Sequence, residues 1–131
     1  MRMTIAIAAL IGAAAPAAAA DPCAGVDTRL TPQRQQHFAP IVAQVAGGVA
    51  PAGVEITDYA REGDWIFVYA SFAELEPAFF FFRTEGSRMR YVELWGGYTT
   101  EEERAEDTAW ARGIGAPAGL AACFAERAIN G

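Results

Sequence analysis

AFFFFRTEGSRMRYVELWGG, residues 78–97, decides how this chain folds. Thr84-Glu85-Gly86-Ser87 stands between two runs rich in aromatic and β-branched residues, which is the arrangement of a β-hairpin. In a strand the four phenylalanines Phe79 to Phe82 divide two and two between opposite faces, because side chains alternate along the backbone. A second turn signal, Arg61-Glu62-Gly63-Asp64, lies upstream between similar runs. Four strands are expected, over residues 54–60, 65–72, 78–83 and 88–95. Their short links favour an antiparallel meander.

The strand beginning at Trp65 sorts cleanly, with Ile66, Val68 and Ala70 on one side and Trp65, Phe67 and Tyr69 on the other. The last strand sorts Val92 and Leu94 against Tyr91, Glu93 and Trp95. Glutamate disfavours positive φ, so a three-residue loop with Gly63 or Gly86 in the left-handed position is expected in each hairpin. That register puts Val54 and Ile56 beside Ile66, Val68 and Ala70. It puts Phe79 and Phe81 with Met89, Tyr91 and Trp95, and Phe80 and Phe82 with Val92 and Leu94. A one-residue slip would reverse these assignments. One face is then aliphatic and suited to helices. The other carries Trp65, Phe67, Tyr69, Phe79, Phe81, Tyr91 and Trp95, with Glu55, Thr57 and Glu93 among them.

Helices flank the meander. Thr31 is a good N-cap with Pro32 behind it, and Phe38, Ile41, Val42 and Val45 form one apolar stripe that ends at Gly47 and Gly48. Pro40 is expected to bend this helix. Thr100 and Glu103 make a capping box for a second helix, which Gly113 and Gly115 stop. Pro117 starts a third, with Leu120, Ala121, Phe124 and Ala128 on one side. The expected fold is α+β: an N-terminal helix, a four-stranded antiparallel β-meander and two C-terminal helices, as a single compact domain over residues 21–131.

Cys23 and Cys123 are the only cysteines and lie near the two ends of that domain. In an oxidising compartment they read as a disulfide. It closes a loop of roughly 100 residues, worth about 4–5 kcal/mol by chain entropy. Residues 1–20 read as a signal peptide, with a positive start at Arg2, an apolar run from Thr4 to Ala15 and small residues at Ala18 and Ala20. Cleavage is expected after Ala20, placing the protein in the periplasm or outside the cell. No stable membrane insertion is expected, because the apolar run is too short to span a bilayer.

Removing Arg2 leaves nine arginines against sixteen acidic residues, with no lysine at all. An acidic domain without a basic cluster is a poor partner for nucleic acid. His37, the one histidine, sits at the edge of a helix stripe, and Ser71 and Ser87 lie in no nucleophile motif. Once the disulfide forms, no Cys/His set remains for zinc, so no metal or cofactor is expected. Gly96-Gly97 lacks the lysine and spacing of a phosphate loop and reads as a strand exit. Asp58, Glu62 and Asp64 read as a solvated acidic turn. Glu93, mid-strand among rings, is the one carboxylate on which an enzyme reading centres, because burial would raise its pKa. Pairing with Arg90 or Arg112 is the ordinary alternative. No catalytic residues are assigned.

The expectation is a small exported, non-enzymatic interaction protein of inhibitor or immunity type. It would use Trp65, Phe67, Tyr69, Phe79, Phe81, Tyr91, Glu93 and Trp95 to grip a protein partner in the envelope. The alternative is a periplasmic binding module for a small apolar or aromatic ligand. Two ordinary occupants compete for the same face. One is a C-terminal helix that covers it with Trp110 or Phe124, and the other is a second copy of the chain in a homodimer.

Overall fold

Two hairpins build the sheet, and each closes through a two-residue turn rather than the expected three-residue loop. The computed structural model describes Gly12 and residues 20–131. Apart from Gly12 and Ala20, the signal peptide read in residues 1–20 therefore lies outside the described residues. The strands are β1 (Val54–Glu62), β2 (Trp65–Phe72), β3 (Ala78–Glu85) and β4 (Arg88–Gly96), antiparallel in the order β1-β2-β3-β4. Glu62 pairs with Trp65, and Glu85 with Arg88. Gly63 (φ 60°) and Gly86 (φ 63°) take the first turn position, and no non-glycine residue has positive φ. A type II′ turn has this pattern, and it spares the glutamates the positive φ that argued for a longer loop.

The shorter turns slip each register by one residue, and a β-bulge then corrects the slip. In β1 the bulge falls between Ile56 and Asp58, and in β4 it adds Val92 where the partner register passes from Phe82 to Phe81. Beyond the bulges the expected faces return, so Ile56 meets Ala70 and Phe79 meets Trp95. Between turn and bulge they are inverted. Tyr91 pairs with Phe82 and Met89 with Thr84, so both pack on the aliphatic side, while Val92 packs on the aromatic side. The assignment of Tyr91 to the aromatic face is thus corrected, and the reason is the parity of a single inserted residue. Both bulges sit in edge strands, where extra twist discourages pairing with other chains.

The helices are α1 (Pro32–Ala46), α2 (Arg104–Gly113) and α3 (Ala118–Asn130), with short 3-10 turns at Pro51–Gly53 and Glu101–Glu103. The Thr31 side chain accepts the Arg34 N–H, and α1 runs unbroken through Pro40 to Gly47. The capping box of Thr100 and Glu103 forms as read. The helices do not share one bed. From α1, Phe38 and Val42 pack onto Ile56, Tyr59, Ile66 and Phe82, and Gln35 Nε2 donates to Ile56 O at 3.0 Å. On the opposite face α2 and α3 lay Ala111, Leu120, Ala121 and Phe124 onto Phe67, Phe79 and Phe81. The sheet is therefore the middle of three layers. The aliphatic side is the natural bed for a helix and α1 takes it, while α2 and α3 cover the aromatic side with Trp110 and Phe124, the first of the two ordinary occupants named for that face.

Cys23 is bonded to Cys123 in the middle of α3, which ties that helix to the N-terminal segment. The same segment forms an antiparallel bridge between Asp27 and Arg61. Asp27 also pairs with Arg34 at 2.9 Å, and the Arg34 guanidinium lies 4.4 Å from the centre of the Tyr59 ring. The N-terminal segment thus fastens α1, β1 and α3 together. Among the described residues no helix is long and apolar enough to cross a membrane.

Candidate functional site

Register places the aromatic side chains in rows that run across the strands. One row holds Ala60, Phe67 and Phe81, with Glu93 opposite Phe81. The next holds Asp58, Tyr69, Phe79 and Trp95, each directly opposite its neighbour on the adjoining strand. The first row is closed. Phe124 of α3 stands over it, with ring centroids 6.3 Å from Phe67, 5.2 Å from Phe81 and 5.6 Å from Trp110 of α2. Phe67, Phe81 and Phe124 have no exposed surface. Trp65, beside the hairpin turn, is buried as well and packs near Gly115.

The second row is only partly roofed. Phe124 reaches Phe79 at 5.1 Å and Trp95 at 5.4 Å, but α3 ends before it crosses the rest. What remains is a cavity of about 460 Å3 between this row, the last turn of α3 and the loop that leaves β4. Tyr69, Phe79 and Trp95 form its floor, and Arg127, Ala128 and Ile129 form one wall. Gly96, Gly97, Tyr98 and Thr99 form the opposite wall, with Tyr98 almost fully exposed at the rim. The Tyr69 and Phe79 rings lie 4.5 Å apart. Partial burial pushes the Tyr69 phenol above its ordinary pKa, with smaller contributions from Tyr98 and Glu76, so its hydroxyl stays protonated.

Asp58 and Arg127 provide the charge at the β1 end of the cavity. Asp58 Oδ1 accepts the Tyr59 N–H at 2.8 Å and lies 3.5 Å from an Arg127 nitrogen. Burial pushes the Asp58 carboxyl above its ordinary pKa, while the Tyr59 hydrogen bond and Arg127 pull the other way. The acidic group read from the sequence as one solvated turn is dispersed. Asp58 enters the cavity wall, the Glu62 carboxylate lies against Gly119 at the start of α3, and Asp64 accepts the Thr84 hydroxyl. A carboxylate near a helix N-terminus complements its positive end.

Of the eight side chains read as a partner face, the structure brings three together at the cavity: Tyr69, Phe79 and Trp95. Trp65, Phe67 and Phe81 belong to closed core. Tyr91 is on the other face, and Glu93 is exposed, where its Oε1 accepts the Leu94 N–H. The arginines named as partners for Glu93 are engaged elsewhere. Arg90 pairs with Glu85 at 2.8 Å, and Arg112 donates to Ala116 O at 2.9 Å. Sequence reasoning did not single out Arg127 or Tyr98, and it gave Asp58 no binding role. Their positions depend on where α3 ends and how the Gly96-Gly97 exit turns, and no local motif records either. Among the described residues, no three His, Cys, Asp or Glu side chains converge as a metal site requires. Compared with protein families, curated proteins and solved structures, the chain matches none.

Proposed function

We propose that the protein is an exported, non-enzymatic binding module for a small apolar or aromatic ligand, held between the end of α3 and the row formed by Tyr69, Phe79 and Trp95. The observation that carries this reading is the cavity of about 460 Å3 floored by those three rings. Ligand sites are concave, largely apolar, roughly 300–1,000 Å3 in volume and equipped with a few polar groups. Asp58, Arg127 and the Tyr69 hydroxyl supply those groups here. A protein partner gripping the aromatic face has less to support it, because α2 and α3 occupy most of that surface.

Isothermal titration with small aromatic probes of different charge tests the proposal. One-to-one saturable binding is expected, at least about fivefold weaker for Trp95→Ala, since a lost ring contact is worth about 1 kcal/mol or more. A folded wild-type protein that binds no aromatic probe saturably overturns it. Export is supported by the Cys23–Cys123 bridge, because such bonds persist in oxidising compartments. N-terminal sequencing of protein recovered from the periplasm or medium is expected to begin at Asp21, and an intact Met1 overturns the export reading.

A further inference from the structure

We infer that the ligand taken by this cavity carries a compact positive charge, an alkyl- or arylammonium group, bound between the aromatic row and the Asp58 carboxylate. The inference rests on the ligand-binding reading above and adds a chemical class to it. Three features of the walls have the same sign. The rings of Tyr69, Phe79 and Trp95 line the floor, and aromatic faces attract cations through their quadrupoles. Asp58 stands in line with them on the next strand, directly opposite Tyr69. The last turn of α3, with Arg127, Ala128 and Ile129 on the cavity, forms the wall above, and the C-terminal end of a helix carries partial negative charge.

Asp58 also keeps one carboxylate oxygen open to solvent and to a ligand. Its Oδ1 takes the Tyr59 N–H, while its Oδ2 accepts no hydrogen bond among the described residues. The side chain keeps only 18% of its surface exposed, and burial works against its charge. A second cation at Oδ2 offsets that cost. Among the described residues that line the cavity, Arg127 is the one opposing group. Its contact with Asp58 Oδ1 is long, at 3.5 Å, and its own side chain is twice as exposed. It can swing toward solvent when a better-placed ammonium arrives. An anionic ligand would have Arg127 alone in its favour. The carboxylate, the helix end, the ring faces and a formal chain charge of −6 would all oppose it.

The test compares benzylammonium, benzyl alcohol and benzoate, which share a ring and differ in charge, by isothermal titration against the wild-type protein at neutral pH. Benzylammonium is expected to bind about tenfold tighter than either of the others, the scale of one partly desolvated cation–π and charge pairing. Asp58→Asn is expected to abolish the preference for the cation, so that benzylammonium and benzyl alcohol bind that variant equally. Arg127→Gln is expected to tighten benzylammonium, because it removes the competing cation. If benzyl alcohol or benzoate binds as tightly as benzylammonium, the cavity is a ligand site and the charge inference is overturned. If none of the three binds, the ligand-binding reading fails with it. The three-probe comparison uses wild-type protein alone, so it decides the matter even if a variant does not fold.

Discussion

Two adjacent rows of one sheet face carry the same kind of side chain and have opposite fates. Phe67 and Phe81 are sealed beneath Phe124, whereas Tyr69 and Trp95, one row along, keep part of their surface on a cavity. Strand position does not separate them, although the buried rings are phenylalanines and the part-exposed ones have polar tips. What separates them is where α3 stops, and α3 is held in place by a covalent bond at Cys123. An aromatic face is thus core where a helix crosses it and cavity floor where the helix has ended. The closed row supplies stability, since each fully buried ring contributes roughly 1.5–3 kcal/mol from burial. The open row supplies shape and charge.

The contrast is most severely tested by releasing α3. Replacing Cys23 and Cys123 together by serine removes the closure of a loop spanning 100 residues. The expected loss is about 4–5 kcal/mol by chain entropy, read from urea unfolding. A loss under about 1 kcal/mol would show that packing alone positions α3. Phe124→Ala attacks the same contrast locally, because the side chain touches both rows. Truncating a fully buried phenylalanine costs about 3–5 kcal/mol. The variant should also bind hydrophobic dye along the newly opened Phe67–Phe81 row, which the wild type does not offer. An unchanged denaturation midpoint would mean that Phe124 is not the roof.

The sequence made one half of this contrast visible. Local signals with a single physical reading came through. They were the Thr31 cap, the Thr100–Glu103 box, the period-two sorting from Trp65 to Tyr69, and the pairing of the only two cysteines. Readings that depend on parity did not. A glycine can supply positive φ at either end of a hairpin loop, and a three-residue loop places Tyr91 and Met89 on the aromatic face where the two-residue turn places them on the aliphatic one. The bulges at Thr57 and Val92 restore the pattern farther on, and nothing in those residue types marks them. The cavity was less legible still. The sequence names its floor, but Arg127 reaches it from α3 only through tertiary packing, and Tyr98 reaches its rim only through the course of the Gly96-Gly97 exit.

Trp95→Ala sharpens the contrast at the open end. Trp95 is only half-buried, so its removal is expected to cost about 1 kcal/mol of stability, well below the Phe124 effect. Its effect on ligand binding should be the larger of the two. The pair of measurements therefore separates the rows by function, with Phe124→Ala mainly affecting unfolding and Trp95→Ala mainly affecting titration. If Trp95→Ala destabilised the protein as much as Phe124→Ala, the open row would be ordinary core.

The smallest expected effect concerns Asp58 and pH. Burial raises its carboxyl above the ordinary value of 3.8, so the unfolded chain gives up this proton more readily than the folded one. Over the interval above 3.8 in which the two states differ, the folded state binds more protons. Stability contributed by Asp58 is then present below the ordinary value and lost as pH rises through the folded one. Asp27 behaves in the opposite sense. Hydrogen bonds from Arg34 and then Arg29 hold its carboxyl far below the ordinary value, so its contribution is present above that value and lost as pH falls. The two titrations lie on opposite sides of the ordinary carboxylate pKa, which keeps them distinguishable. Asp58→Asn removes one and leaves the other. Urea unfolding of wild type and Asp58→Asn from pH 4 to pH 7 should show the wild type losing ground to the variant as pH increases. An ammonium ligand at saturating concentration should abolish that loss, because it favours the ionised carboxylate. A wild type that gains on the variant with rising pH would mean that Arg127 already holds Asp58 as a settled ion pair, and the open row would then be neutral rather than negative.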